Sequence, residues 1–133
     1  MASVVADTHA LVWYILEPER LSLNALTAFE QAAANGDLVY SSAISIVEIC
    51  YLVERGRLPE TVLRRLIDAL RDPDAGVVVT PVDLNIGLAI QLINRDAIPD
   101  MPDRIIAATA IHLELPLVTR DQRIWAAGIN TIW

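Results

Sequence analysis

Residues Val4-Val5-Ala6-Asp7-Thr8-His9-Ala10-Leu11-Val12-Trp13-Tyr14-Ile15-Leu16 hold two kinds of structure back to back. Val4-Val5-Ala6 has no polar face, so it reads as a short strand buried on both sides. Thr8 to Leu16 then reads as a helix that stops before Glu17-Pro18. A buried strand feeding straight into a helix is the first half of a β-α-β unit.

The pattern continues along the chain. Ser22 reads as the N-cap of a helix carrying Leu26, Phe29 and Ala33 on one face and ending near Asn35-Gly36, before a strand at Leu38-Val39-Tyr40. A helix from about Ala43 to Arg55 is closed by Gly56, and another runs from Pro59 or Glu60 to about Arg71. Val77-Val78-Val79 is the third strand, and Val82 to Arg95 reads as one helix with Leu84, Leu88 and Leu92 a turn apart. A helix from Asp103 to about Leu113, a strand at Leu117-Val118, a short helix from Gln122 to Ala127 and a strand from Ile129 to Ile132 complete the chain. Short apolar strands separated by helices predict an α/β fold, a three-layer α/β/α sandwich around a short, mostly parallel central sheet. No repeat or linker interrupts it, so a single domain over residues 1–133 is expected.

Composition narrows the function. At 54% hydrophobic, the chain is expected to hide apolar surface in a partner as well as in its core. The lone Cys50 with only His9 and His112 cannot build a thiolate or imidazole zinc cage, so any metal would be held by oxygen. There is no basic leader and no apolar run of about 18 residues, which predicts a cytoplasmic protein without a membrane segment. The net charge of −7 argues against a general nucleic-acid coat. All ten basic residues are arginines, and Arg55, Arg57, Arg64 and Arg65 crowd one region. They read either as a solvated helix surface or as forked donors for phosphate or an acidic partner segment.

Ligands in such folds bind beyond the carboxyl ends of the strands. Asp7 directly follows the first strand and Asp121 lies just past the fourth; each also reads as a helix cap. In Ile98-Pro99-Asp100-Met101-Pro102-Asp103-Arg104-Ile105, Asp100 reads as an N-cap and Asp103 as the third helical residue. Glu48 sits mid-helix among apolar residues, with Ile44, Ser45, Tyr51 and Leu52 as its helical neighbours. No cation within the helix can pair with it, so it is exposed, matched by a distant arginine, or a ligand. The architecture can bring Asp7, Glu48, Asp103 and Asp121 to one pocket. Two carboxylates at about 4 Å repel by roughly 4 kcal/mol at an effective dielectric of about 20, so four need protons or cations. Oxygen donors without His or Cys favour Mg²⁺ or Mn²⁺.

Four segments, "VVADTHALVW", "SAISIVEICYLVERGRL", "PDMPDRIIAATA" and "LVTRDQRI", in this order and spanning nearly the whole chain, resemble the PIN-domain ribonucleases, and among them the VapC toxins of bacterial toxin–antitoxin pairs. The resemblance implies a Mg²⁺-dependent endoribonuclease, with Mn²⁺ as a possible substitute, whose acidic site is Asp7, Glu48, Asp103 and Asp121. Asp7 and Asp103 would be its firmest metal ligands, and Thr8 and Thr119 would orient neighbouring carboxylates. It further implies hydrolysis of RNA to 5′-phosphate and 3′-hydroxyl ends, a homodimer, and a cognate antitoxin segment lying in an apolar groove near arginines such as Arg55 and Arg57. His9 at the first helical turn and His112 are expected to be structural rather than general bases.

Two other readings compete. A haloacid-dehalogenase-type phosphohydrolase could use Asp7 as nucleophile, but it needs a second aspartate where His9 stands and a lysine, which the chain lacks. A non-catalytic dimeric partner-binding module would explain the apolar composition and leave Glu48 unexplained.

Overall fold

The computed structural model describes residues 2–133. Five strands, β1 (Val4–Ala6), β2 (Val39–Ser42), β3 (Val77–Thr80), β4 (Leu117–Val118) and β5 (Thr131–Ile132), form one sheet in the order β3-β2-β1-β4-β5. Every pairing is parallel. Seven α-helices connect them: α1 (Thr8–Leu16), α2 (Leu23–Ala34), α3 (Ala43–Glu54), α4 (Glu60–Arg71), α5 (Leu84–Ala89), α6 (Met101–Leu113) and α7 (Gln122–Ala126).

The alternation of strand side chains divides the core in two. Val4 and Ala6 of β1 pack with Leu11, Phe29, Ile49 and Leu66, from α1 to α4. Val5, between them, packs with Ile86, Ile106, Leu117 and Ile124, which bring in α5, α6 and α7. The chain winds outward from β1 to β3 with helices on one face, then returns past β1 to β4 with helices on the other, as right-handed crossovers require. The predicted α/β/α sandwich is therefore present, with a fully parallel sheet. The reversal falls between β1 and β4, where a crevice opens at the strand ends.

Several expected bounds shift. β2 extends through Ser41 and Ser42, both fully buried, because pairing with Ala6 on one side and Val79 and Thr80 on the other outweighs the poor strand propensity of serine. Helix α6 starts at Met101 rather than Asp103, since Asp100 already caps it and Pro102 suits its first turn.

The single helix expected over Val82–Arg95 is replaced by α5 and a 3₁₀ turn at Ile90–Leu92. Asp83 caps its start. The Arg104 guanidinium donates to the carbonyls of Ile90 (3.0 Å) and Ile93 (3.1 Å), fixing its end against α6. Its inward face is Ile86 with Ile93, while Leu84, Leu88 and Leu92 are 75%, 52% and 73% exposed. The sequence carries two apolar stripes at helical spacing here, and only the isoleucine stripe meets the sheet.

Candidate active site

Asp7 leaves β1 at the crevice and caps α1, its Oδ1 accepting the Ala10 N–H at 2.8 Å. Its Oδ2 accepts a short hydrogen bond from the hydroxyl of Thr119, which directly follows β4. Thr119 Oγ1 in turn accepts the Asp121 N–H at 3.1 Å, and Asp121 caps α7 through Oδ1 to the Arg123 N–H at 2.9 Å. Capping and site-building thus coincide, because a helix that starts at a strand's carboxyl end puts its cap at the crevice.

Glu48 comes from α3. Among the described residues it is paired not with an arginine but with a hydroxyl: the buried Thr8 hydroxyl donates to Glu48 Oε1 at 2.6 Å and shares a 2.8 Å hydrogen bond with Ser45 Oγ. Thr8 and Thr119 therefore hold Glu48 and Asp7. Asp103 stands third in α6, its N–H bonded to the Asp100 carboxylate at 3.1 Å.

The carboxylates share one electrostatic environment. Burial, then the charges of Asp100, Asp121 and Glu48 and the hydrogen bond with Asp100, push Asp103 up to about 7. Burial also raises Glu48, with Asp100 and Asp7 adding to the effect and Thr8 and His9 opposing it. Asp7 is raised by burial against the Thr119 and Ala10 hydrogen bonds and the charge of His9, with Asp121 raising it further. Asp7, Asp103 and Asp121 line a cleft of about 260 Å³ together with His9 and Arg120, and Glu48, hydrogen-bonded to Thr8, is near enough for its charge to act on Asp103.

Among the described residues, no group of three or more His, Cys, Asp or Glu side chains is converged tightly enough to hold an ion as it stands. The oxygens of Asp7 and Glu48 are turned toward their threonines. The donor chemistry nevertheless fits a hard divalent cation. It is all carboxylate, and burial together with the charges of Asp100, Asp121 and Glu48 raises Asp103, an accumulation of negative charge that a cation relieves.

An apolar groove of about 290 Å³ begins at Thr8 and His9 and runs between α1, α3 and α4, lined by Val12, Trp13, Ile49, Leu52 and Val62. Its arginines are Arg20 and Arg120, not Arg55 and Arg57. Arg55, Arg57, Arg64 and Arg65 are all exposed, with Arg64 paired to Glu60 at 3.0 Å, and none of the four lines this groove. Arg120 escapes a sequence reading because it looks like one of ten arginines; its place between Thr119 and Asp121 was the available signal. His9 is exposed, 5.7 Å from the Trp13 ring, and His112 is exposed on α6.

The PIN domain family matches residues 4–129. Ribonuclease VapC22 of Mycobacterium tuberculosis is 33% identical over 130 residues, covering 93% of this chain and 91% of that protein. VapBC2 from Rickettsia felis, solved bound to a DNA fragment from their promoter, superposes with a TM-score of 0.72 at 16% identity, covering 97% of this chain and 96% of the other. FitAcB from Neisseria gonorrhoeae superposes with a TM-score of 0.58 at 22% identity, covering 96% and 95%. The likeness to these two is one of fold. By the match along nearly its whole length and by its VapC relative, the chain belongs to the PIN-domain family, among the VapC-type proteins.

Proposed function

We propose that this chain is a metal-dependent endoribonuclease of the VapC type, held inactive by a cognate antitoxin and acting in the cytoplasm. The observation that carries the reading is the gathering of Asp7, Glu48, Asp103 and Asp121 around the crevice between β1 and β4, with Asp103 pushed up to about 7. The relative named as a ribonuclease supports the substrate class. The family match over residues 4–129 supports the reading of a single PIN domain.

Asp7, Glu48, Asp103 and Asp121 are the residues that would hold Mg²⁺ or Mn²⁺. When bound, the ion supplies Lewis acidity and counter-charge to the phosphodiester. Thr119 and Thr8 keep the Asp7 and Glu48 carboxylates aimed, so that little reorganisation is needed at the moment of reaction. A carboxylate at the cleft accepts the proton of the attacking water as its oxygen approaches phosphorus in line with the departing 3′-oxygen.

Two surfaces support the partners. The apolar groove beside Thr8 and His9 suits an antitoxin segment, which would cover the acids at the same time. The exposed stripe of Leu84, Leu88 and Leu92 suits a second copy in a homodimer.

The test is incubation of antitoxin-free protein with end-labelled total RNA, with and without Mg²⁺ or Mn²⁺, beside Asp103→Asn. Discrete metal-dependent cuts absent from the variant are expected. A folded, metal-supplied protein that cuts nothing, or a variant that cuts equally well, would overturn the reading.

A further inference from the structure

The chain has three tryptophans, and all of them line clefts that contain Arg120. Trp13 lies in the apolar groove. Trp125 and Trp133 line a separate cleft of about 410 Å³ with Thr119, Arg120, Asp121 and Gln122. That cleft shares Arg120 and Asp121 with the acid-lined one, so the two adjoin.

Trp125 is 69% exposed, which the core does not explain. Its backbone N–H donates to the Asp121 carbonyl at 3.2 Å, and the spacing of four sets both residues on one side of α7. Arg120 is the second unusual group. Asp7, Asp103 and Asp121 line the same cleft, yet among the described residues Arg120 forms no ion pair. Its guanidinium rests 4.8 Å from the centroid of the Trp13 ring instead. A guanidinium held over an indole face keeps its N–H donors available to an anion.

We infer that the Trp125–Trp133 cleft is a subsite for an unpaired nucleotide next to the scissile bond, with its base stacked on Trp125 and its phosphate on Arg120. The inference rests on the ribonuclease reading for the polymer. An aromatic face stacks on any base, a guanidinium fork matches a phosphate, and Gln122 offers both donor and acceptor to a base edge. The groove lined by Val12, Ile49, Leu52 and Val62 has the different, apolar character that a protein segment needs. A paired base cannot lie on Trp125, so the cleft selects loops, bulges or single strands. One local cation then serves where a net charge of −7 forbids a general basic surface.

The test uses the full chain as Asp103→Asn, which holds RNA uncut, in Mg²⁺ buffer, with a short unstructured RNA of mixed sequence and the same strand annealed to its complement. Unpaired RNA is expected to quench tryptophan fluorescence. Trp125→Ala should weaken its binding roughly ten- to a hundred-fold, with Trp125→Phe close to the parent and the duplex little affected. Arg120→Ala should lower the slope of log affinity against log salt by about 0.7.

Unpaired RNA that binds Trp125→Ala as tightly as the parent overturns the inference. So does a Trp125→Ala change that alters only self-association or the binding of a protein partner. Cleavage by the otherwise unmodified enzyme separates the two readings. RNA cut with the same KM by Trp125→Ala removes the subsite and leaves the ribonuclease; RNA bound through Trp125 but never cut by the metal-supplied enzyme removes the ribonuclease and leaves the subsite.

Discussion

The hydroxyl of Thr119, just past β4, donates to Asp7 Oδ2, just past β1, while Asp7 Oδ1 takes the Ala10 N–H at 2.8 Å. Both oxygens of a half-buried carboxylate are thereby held, one by its own helix and one by the residue that follows the neighbouring strand. Thr119 also accepts the Asp121 N–H at 3.1 Å, so a single side chain ties two candidate ligands across the reversal of the sheet.

Thr119→Val keeps the shape and removes both bonds. The Thr119 bond is what most lowers the Asp7 pKa against burial, so its loss moves that pKa further up. Losing a hydrogen bond to a charged group costs about 2 kcal/mol, measurable in urea denaturation near neutral pH. Mn²⁺ affinity should fall about ten-fold by titration calorimetry, and Thr119→Ser should restore both. An unchanged Mn²⁺ affinity would exclude a supporting role for Thr119.

Asp103 sets a pH dependence whose sign follows from its shift. Its folded pKa of about 7 lies above the value of 3.8 for a free carboxyl, so between these values the folded chain keeps a proton that the unfolded chain has released. The cost to stability is absent below about pH 4, grows across the interval and is complete above about pH 7. Without metal, Asp103→Asn should therefore raise Tm at pH 8, with the difference shrinking to nothing near pH 4. A gain of equal size at both pH values would point to packing instead.

Asp100 separates capping from charge. Asp100→Asn keeps an N-cap acceptor for the Asp103 N–H but removes the largest repulsive charge on Asp103, so the Asp103 pKa should drop in an NMR titration and stability at pH 8 should rise. Asp100→Ala also lowers that pKa and costs about 1 kcal/mol for the lost cap. A pKa unmoved in both variants would refute the coupling.

How much of this was legible in the sequence depends on which force places each residue. Val4–Ala6 and Leu117–Val118 were readable because a strand covered on both faces has to be apolar throughout. Asp7, Asp100 and Asp121 were readable as caps because capping is local, and the sheet's strand order carries Asp7 and Asp121 to a common edge. Leu84, Leu88 and Leu92 misled because periodicity reports an apolar face without saying what covers it; the isoleucine stripe beside them had the sheet as its neighbour. Ser41 and Ser42 were missed because neighbouring strands, not their own propensity, make them part of β2. Arg120 and Trp125 were invisible for a related reason. Nothing in Thr-Arg-Asp or Arg-Ile-Trp-Ala states that a guanidinium rests on Trp13, more than one hundred residues earlier, or that an indole stands clear of the core.

Divalent cations should stabilise the folded chain, because the clustered carboxylates exist as a site only after folding. At a hundred times its Kd, a ligand that binds only the folded state adds about 2.7 kcal/mol, so Tm should climb with Mn²⁺ and fall back on chelation. Protons compete for the same oxygens. With Asp103 near 7, and Asp7 and Glu48 raised as well, the Tm gain should be large at pH 8 and much reduced at pH 5.5. Asp103→Asn should weaken the response at pH 8, whereas Asp68→Asn, an exposed carboxylate on α4, should leave it intact. That pair of variants distinguishes one site from the diffuse attraction of a cation to a chain of charge −7, which every surface acid would share. Equal losses in both variants would mean that the metal sees only the net charge.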